Sequence, residues 1–259
     1  MNDSVSGPFT TAQLLARSWQ LYWGHLWTFV LLMGLPIAAL VLGSAVLIFV
    51  ILPEPQGVSL KEIVAHMSSL SLLAVSLGFL ANLAVVYHAL GASIWAAGEF
   101  HAGRDVWLWD AICHFGGKHA RLFWLLFLMG LLGRGAGAIL SLLAGFGFAP
   151  AFPVAKLENL GVIKAIQRGD ALSKGKHGRI ALLYFSFVVL EVAEVYGQIY
   201  GLAALHVSFG NPWFLRSIFP LGMWVSLLVP QFYMIALTVN YFDMRKRSEA
   251  ALASQVPPA

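Results

Sequence analysis

The chain has 259 residues, of which 59% are hydrophobic and only 11% charged, under half the charged share of an ordinary soluble domain. That balance argues against a soluble single domain and against a disordered chain. The net charge of +4, from 16 basic and 12 acidic residues, is too small an excess to suggest a nucleic-acid partner.

These numbers predict an all-α integral membrane protein, in which roughly 20 apolar residues make one crossing. Residues 9–25 (FTTAQLLARSWQLYWGH) place Leu14, Leu15, Ser18, Leu21 and Tyr22 on one helical face, with Thr10 or Thr11 as cap. They read as an amphipathic helix lying in the membrane interface. A charge-free run from Leu26 to Leu52 follows as a first span, with Pro36 as a kink, and 70–97 is a second. Residues 105–115 form another interfacial helix, capped by Asp105, its apolar face combining Val106, Trp109, Ile112 and Cys113.

The stretch from Leu122 to Ala155 would make a rod of ~50 Å, too long for one comfortable crossing. A hairpin turning at Arg134, within Gly-Arg-Gly-Ala-Gly, divides it into spans at 118–134 and 136–155. A third interfacial helix at 159–174 turns Val162, Ala165, Ile166 and Leu172 towards lipid and Lys164, Arg168 and Lys174 towards water. Spans at 180–206 and 218–242 complete a six-helix bundle.

The lysines and arginines set the topology. Six crossings put thirteen of them on one side and leave Lys61, Arg134 and Arg216 on the other. The positive-inside rule then places both termini in the cytoplasm of a multi-pass protein of the cell (inner) membrane. Trp19, Tyr22, Trp23, Trp27, Trp107, Trp109 and Trp213 sit where amphipathic rings meet headgroups. The first and third interfacial helices share Arg17-Ser18-x-x-Leu21-x-x-Gly24 and Arg168-Gly169-x-x-Leu172-x-x-Gly175. The chain therefore reads as three units of interfacial helix plus helical hairpin, the middle one degenerate.

Recognised catalytic patterns are missing: the chain has no G-x-S-x-G, no phosphate-cradling G-x-x-x-x-G-K-[ST] and no H-E-x-x-H. A single cysteine, Cys113, excludes an intramolecular disulfide and a multi-thiolate metal site. His101, His114 and His119 lack the spacing that puts two ligands on one helical face, so no metal and no cofactor is expected. Gly133 and Gly137, Gly197 and Gly201, and Ala92 and Ala96 are small-residue pairs suited to close helix approach. The polar residues at membrane depth are the sharper signal. Glu191, Glu194 and Gln198 continue one stripe from Tyr184, and Asn82 and Gln231 come to similar depth from neighbouring spans.

The run Leu157-Glu158-Asn159-x-Gly161-x-x-x-Ala165-x-x-Arg168-x-x-x-Leu172-x-x-Gly175 resembles the signature after the fourth span in the membrane-domain family of glycerophosphoryl diester phosphodiesterases and its six-span relatives of unknown function. The close, Tyr241-Phe242-Asp243-Met244-Arg245-x-Arg247-x-Glu249, resembles that family's ending. Gly169 departs from it, since the family tends to have serine there. In some relatives a fused barrel carries the phosphodiesterase chemistry. That barrel is absent from this sequence, so the resemblance implies no catalytic residue.

Three functions compete on this reading. The first is a non-enzymatic membrane protein that organises or senses the bilayer, or assists a lipid-active or transport partner. It would meet anionic headgroups through its interfacial helices, with a protein partner or a second copy as a further associate. The second is a small proton-coupled transporter or channel built on the midplane carboxylates. The third, a membrane-embedded lipid enzyme, needs a nucleophile or metal constellation that the sequence does not supply.

Overall fold

A computed structural model of the chain describes residues 9–35, 38, 69–113, 149–204 and 228–253, apart from the side chains of 69–83, 195, 198, 199, 202–204 and 252. The regular structure among the described residues is helical: α1 (Thr11–Gly24), α2 (Ser69–His101), α3 (Leu108–Cys113), α4 (Ala151–Leu157), α5 (Val162–Ser173), α6 (His177–Ala204) and α7 (Leu228–Ala253). Residues 26–35 are also helical, after a turn at His25.

The axis of the molecule is α7. Its side chains from Gln231 to Met244 are buried on nearly every side, as befits a helix without a polar face over that length. Helices α1, α2, α4, α5 and α6 all pack on it. Small residues let α2 come close: Ala92, Ala96 and Ala97 are buried, and a Cβ on Gly98 would meet Leu157 Cδ2 at 3.0 Å. One apolar cluster gathers Leu14, Phe152, Leu172, Leu183 and Tyr241, and a second gathers Tyr22, Phe29, Ala96, Ala111 and Ile235. Full burial of one such large side chain is worth ~1.5–3 kcal/mol.

Among the described residues no helix is long and apolar enough to cross a membrane. That finding overturns the all-α integral membrane class, the six-span bundle of three membrane units, and the multi-pass inner-membrane placement. The reason lies in where the charges fall. Helix α6 starts at His177, three residues before the expected span, and carries Arg179, Glu191 and Glu194 within it. Helix α7 runs on past Phe242 through Asp243, Arg245, Lys246, Arg247 and Glu249, so only about 22 Å of helix from Leu228 precedes the first charge. The expected span at 136–155 fails at its end, because α4 begins only at Ala151 with Pro150 as its N-cap. Helix α2 reaches 33 residues, yet its described part holds Tyr87, His88, Ser93, Glu99 and His101. The hairpin at Arg134, the span at 118–134 and the pair Gly133 and Gly137 lie outside the described residues.

The interfacial faces also point elsewhere. Ala165 and Leu172 of α5 are buried, and Val162 and Ile166 pack against the same core, so the face assigned to lipid is covered by protein. Leu14, Ser18 and Tyr22 of α1 are buried in the same way. At α3 the expected face divides: Val106 and Ile112 pack against the core beside the buried Ala111, whereas Trp109 and Cys113 are exposed. Thr10 caps α1 through a full capping box, its Oγ1 accepting from the Gln13 amide at 3.2 Å while Gln13 Oε1 accepts from the Thr10 amide at 2.9 Å. Asp105 does not cap α3, whose first turn instead closes from the Ala111 amide to the Trp107 carbonyl.

Helices α1 and α5 match position for position. Their N-caps are Thr10 and Gly161, and their buried positions Leu14, Ser18 and Tyr22 stand in register with Ala165, Gly169 and Ser173. The next helices start at 26 and at His177, again in register. Phe29 and Leu32 then correspond to Ile180 and Leu183, all four buried.

Candidate functional site: a polar junction at the ends of four helices

The two motif runs, far apart in the sequence, meet at one end of the fold. Helix α4 ends at Leu157, with Glu158 as C-cap, and Asn159 follows at φ 56°. That left-handed conformation is one that asparagine tolerates at a helix end. Gly161 then caps α5 in extended conformation. The reversal aims Glu158 back at α5 and α7. Its Oε2 accepts from Arg168 Nε at 3.3 Å, and its Oε1 accepts from the Tyr241 hydroxyl at 2.9 Å. Arg245, one turn along α7, donates to Tyr241 Oη at 3.4 Å and to Glu249 Oε1 at 2.8 Å. Burial, reinforced by the bond to Glu158, pushes the Tyr241 phenol up to about 12. It is a hydrogen-bonding strut and keeps its proton at neutral pH.

Asp243 anchors the second half of the junction. Its Oδ2 accepts from Arg179 Nη1 at 2.5 Å and from Arg247 Nη2 at 2.6 Å, and its Oδ1 accepts from Arg247 Nε at 3.3 Å. Arg179 Nη1 also reaches the Phe9 carbonyl at 3.3 Å, tying the segment before α1 to the start of α6. Lys176 sits just before α6, after Gly175, whose φ of +74° favours glycine. Its ammonium is destabilised by burial first, then by Arg247 and Arg179, against which only Asp243 acts.

The motif residues therefore divide by role. Glu158, Arg168, Asp243 and Arg245 carry the ion network. Ala165 and Leu172 are buried, and Gly161 and Gly175 shape the chain reversals. Sequence reasoning named Arg247 only within the closing run and missed Lys176 and Arg179 as site residues. The cue was available in the density of basic residues after α5.

The second candidate group is described only in part. Gln231 is fully buried, but its Nε2 donates to the Phe29 carbonyl at 2.7 Å and to Ser93 Oγ at 2.9 Å, so it joins α7 to residues 26–35 and α2 and not to α6. Asn82 and Gln198 lie on α2 and α6, with side chains outside the described residues. Glu191 is half-buried, and the same helix turns Leu182, Phe185, Val189, Val192, Tyr196 and Tyr200 outward. Its carboxyl is held above the usual 4.5, by burial first and by Glu194 second. Such a group opposes folding once ionised. We expect Glu191→Gln to match the parent chain at pH 4 and to exceed it in Tm at pH 7, the gap opening as pH rises above the unfolded value. Equal melting curves at both pH values would show that Glu191 is fully solvated.

An apolar cleft among α1, α6 and α7 is lined by Leu15, Leu183, Ser186, Phe187, Leu190 and Tyr233; Ser186 donates to the Leu182 carbonyl at 2.9 Å, and the Tyr233 hydroxyl is buried. His101 stacks on Phe242 at 4.8 Å and His25 on Phe100 at 3.6 Å. No family model, curated protein or solved structure matches the chain.

Proposed function

We propose that the chain is a non-enzymatic helical binding protein that docks on a surface of anionic lipid headgroups. The observation that carries this reading is the exposure of five tryptophans, Trp19, Trp23, Trp27, Trp107 and Trp109, each between 52% and 79% open to solvent. Trp19, Trp23 and Trp27 recur every fourth residue, and the first two rings meet edge to face at 5.4 Å. Exposed rings of this size are costly in water and mark an interaction surface. The indole, apolar with one N–H, is suited to the boundary between headgroup and acyl chain. Charge supports the choice of partner: the chain carries +4 overall, and Lys164 and Lys174 are exposed.

The test is co-sedimentation with vesicles, read together with tryptophan emission. Binding to vesicles rich in phosphatidylglycerol is expected to exceed binding to phosphatidylcholine vesicles, with a blue-shifted emission that added salt weakens. The variant carrying Trp19→Ala, Trp23→Ala and Trp27→Ala is expected to lose most of that binding. Emission unchanged by any vesicle, with the protein left in the supernatant, would refute the proposal.

A further inference from the structure

The polar junction is balanced on one side and unbalanced on the other. Around Tyr241, two carboxylates (Glu158 and Glu249) meet two guanidinium groups (Arg168 and Arg245). Around Asp243, one carboxylate faces three cations: Lys176, Arg179 and Arg247. The excess is two positive charges in a half-buried place, where uncompensated charge is costly. The Arg179 side chain is 12% exposed. Its Nη1 is used twice, but Nε and Nη2 are shut from solvent and donate to nothing. The charge on these two atoms is therefore uncompensated by any hydrogen bond. Lys176 makes no hydrogen bond or ion pair with its ammonium among the described residues. The turn beside it is open, since nothing lies within 4 Å of a Cβ placed on Gly175 or Gly178.

We infer that Lys176, Arg179 and Arg247 form a subsite for a dianionic phosphoryl group. Two negative charges cancel the local excess, with oxygens reaching Lys176 at the open turn and the partly exposed Arg247, while the covered guanidinium of Arg179 supplies charge from behind. The subsite shares no residue with the tryptophan face and does not depend on the docking proposed for it. The phosphoryl group can come from a phosphomonoester lipid headgroup or from a free phosphate, because the chemistry recognised is the same.

Calorimetric titration of the full-length protein with inorganic phosphate, with sodium chloride at matched ionic strength as control, tests the subsite directly. Saturable phosphate binding is expected, weakened about tenfold by Lys176→Gln, which removes a charged donor without touching the Arg179–Asp243 pair. Lys246→Gln, exposed on α7 outside the cluster, is expected to leave it unchanged. Vesicles containing phosphatidic acid, added to the same variants, separate the sources: a lipid ligand loses affinity with Lys176→Gln there too, whereas a free-phosphate site leaves vesicle binding intact. The proposal is overturned if phosphate gives only the heat of the chloride control, or if Lys176→Gln and Lys246→Gln bind phosphate equally. Neither outcome bears on the tryptophan variants, so the two readings fail separately.

Discussion

Asp243→Ala is expected to be among the most destabilising single substitutions in the described part of the chain, lowering the unfolding free energy by about 3–5 kcal/mol. The carboxylate is 7% exposed and accepts from both Arg179 and Arg247. Its removal leaves two guanidinium groups facing each other and Lys176 with no acid between them. The cost is that of stranded charge more than of lost bonds, which gives the prediction a second arm. Replacing the pair together, as Arg179→Met with Asp243→Leu, removes the most buried of the stranded charges, leaves the more exposed Arg247 to water, and is expected to recover part of the loss. A typical domain has only ~5–15 kcal/mol of stability, so the single variant should show a large shift of its urea midpoint. A midpoint within experimental error of the parent chain would mean that water already solvates the junction.

How much of this was legible in the sequence depends on which interaction fixes each feature. The helices within 9–25 and 159–174 follow from apolar spacing and from Thr10, local signals that a sequence displays directly. What covers their apolar faces is not local. Leu14 and Ala165 would look the same against lipid as they do against α7, and composition tipped the reading towards lipid. The charged end of α7 was treated as a tail after a span, although Asp243 and Arg245 had been singled out by motif. That Arg179 pairs with Asp243, 64 residues away, is a tertiary fact that no spacing announces. Helical depth sets Gln231 beside Glu191, whereas its amide donates to the Phe29 carbonyl and Ser93 Oγ. Depth orders residues along one axis and says nothing about which neighbour lies on which side.

Gly169 shows the converse case, in which one atom of sequence carries tertiary information. It is buried on α5, and a Cβ built there would lie 3.0 Å from the Ala151 amide nitrogen, 3.1 Å from the Pro150 carbonyl carbon and 3.2 Å from Ala151 Cα. All three are backbone atoms at the start of α4, where no side-chain rotation can give way. A side chain at this place would need α5 to move off α4, and that shift would pull Arg168 away from Glu158. We expect Gly169→Ser and Gly169→Ala to cost about 1–3 kcal/mol as overpacking, even though alanine is favoured over glycine by ~1 kcal/mol within a helix. The helical preference can be measured separately at Gly197 on α6, where a Cβ would meet nothing within 4 Å. Gly197→Ala is expected to raise stability by up to ~1 kcal/mol. Opposite signs at the two positions, read as Tm shifts of the same glycine-to-alanine change, isolate the close approach of α4 and α5 from propensity. A Gly169→Ala protein that melts at or above the parent temperature would show that the two helices have room to separate without cost.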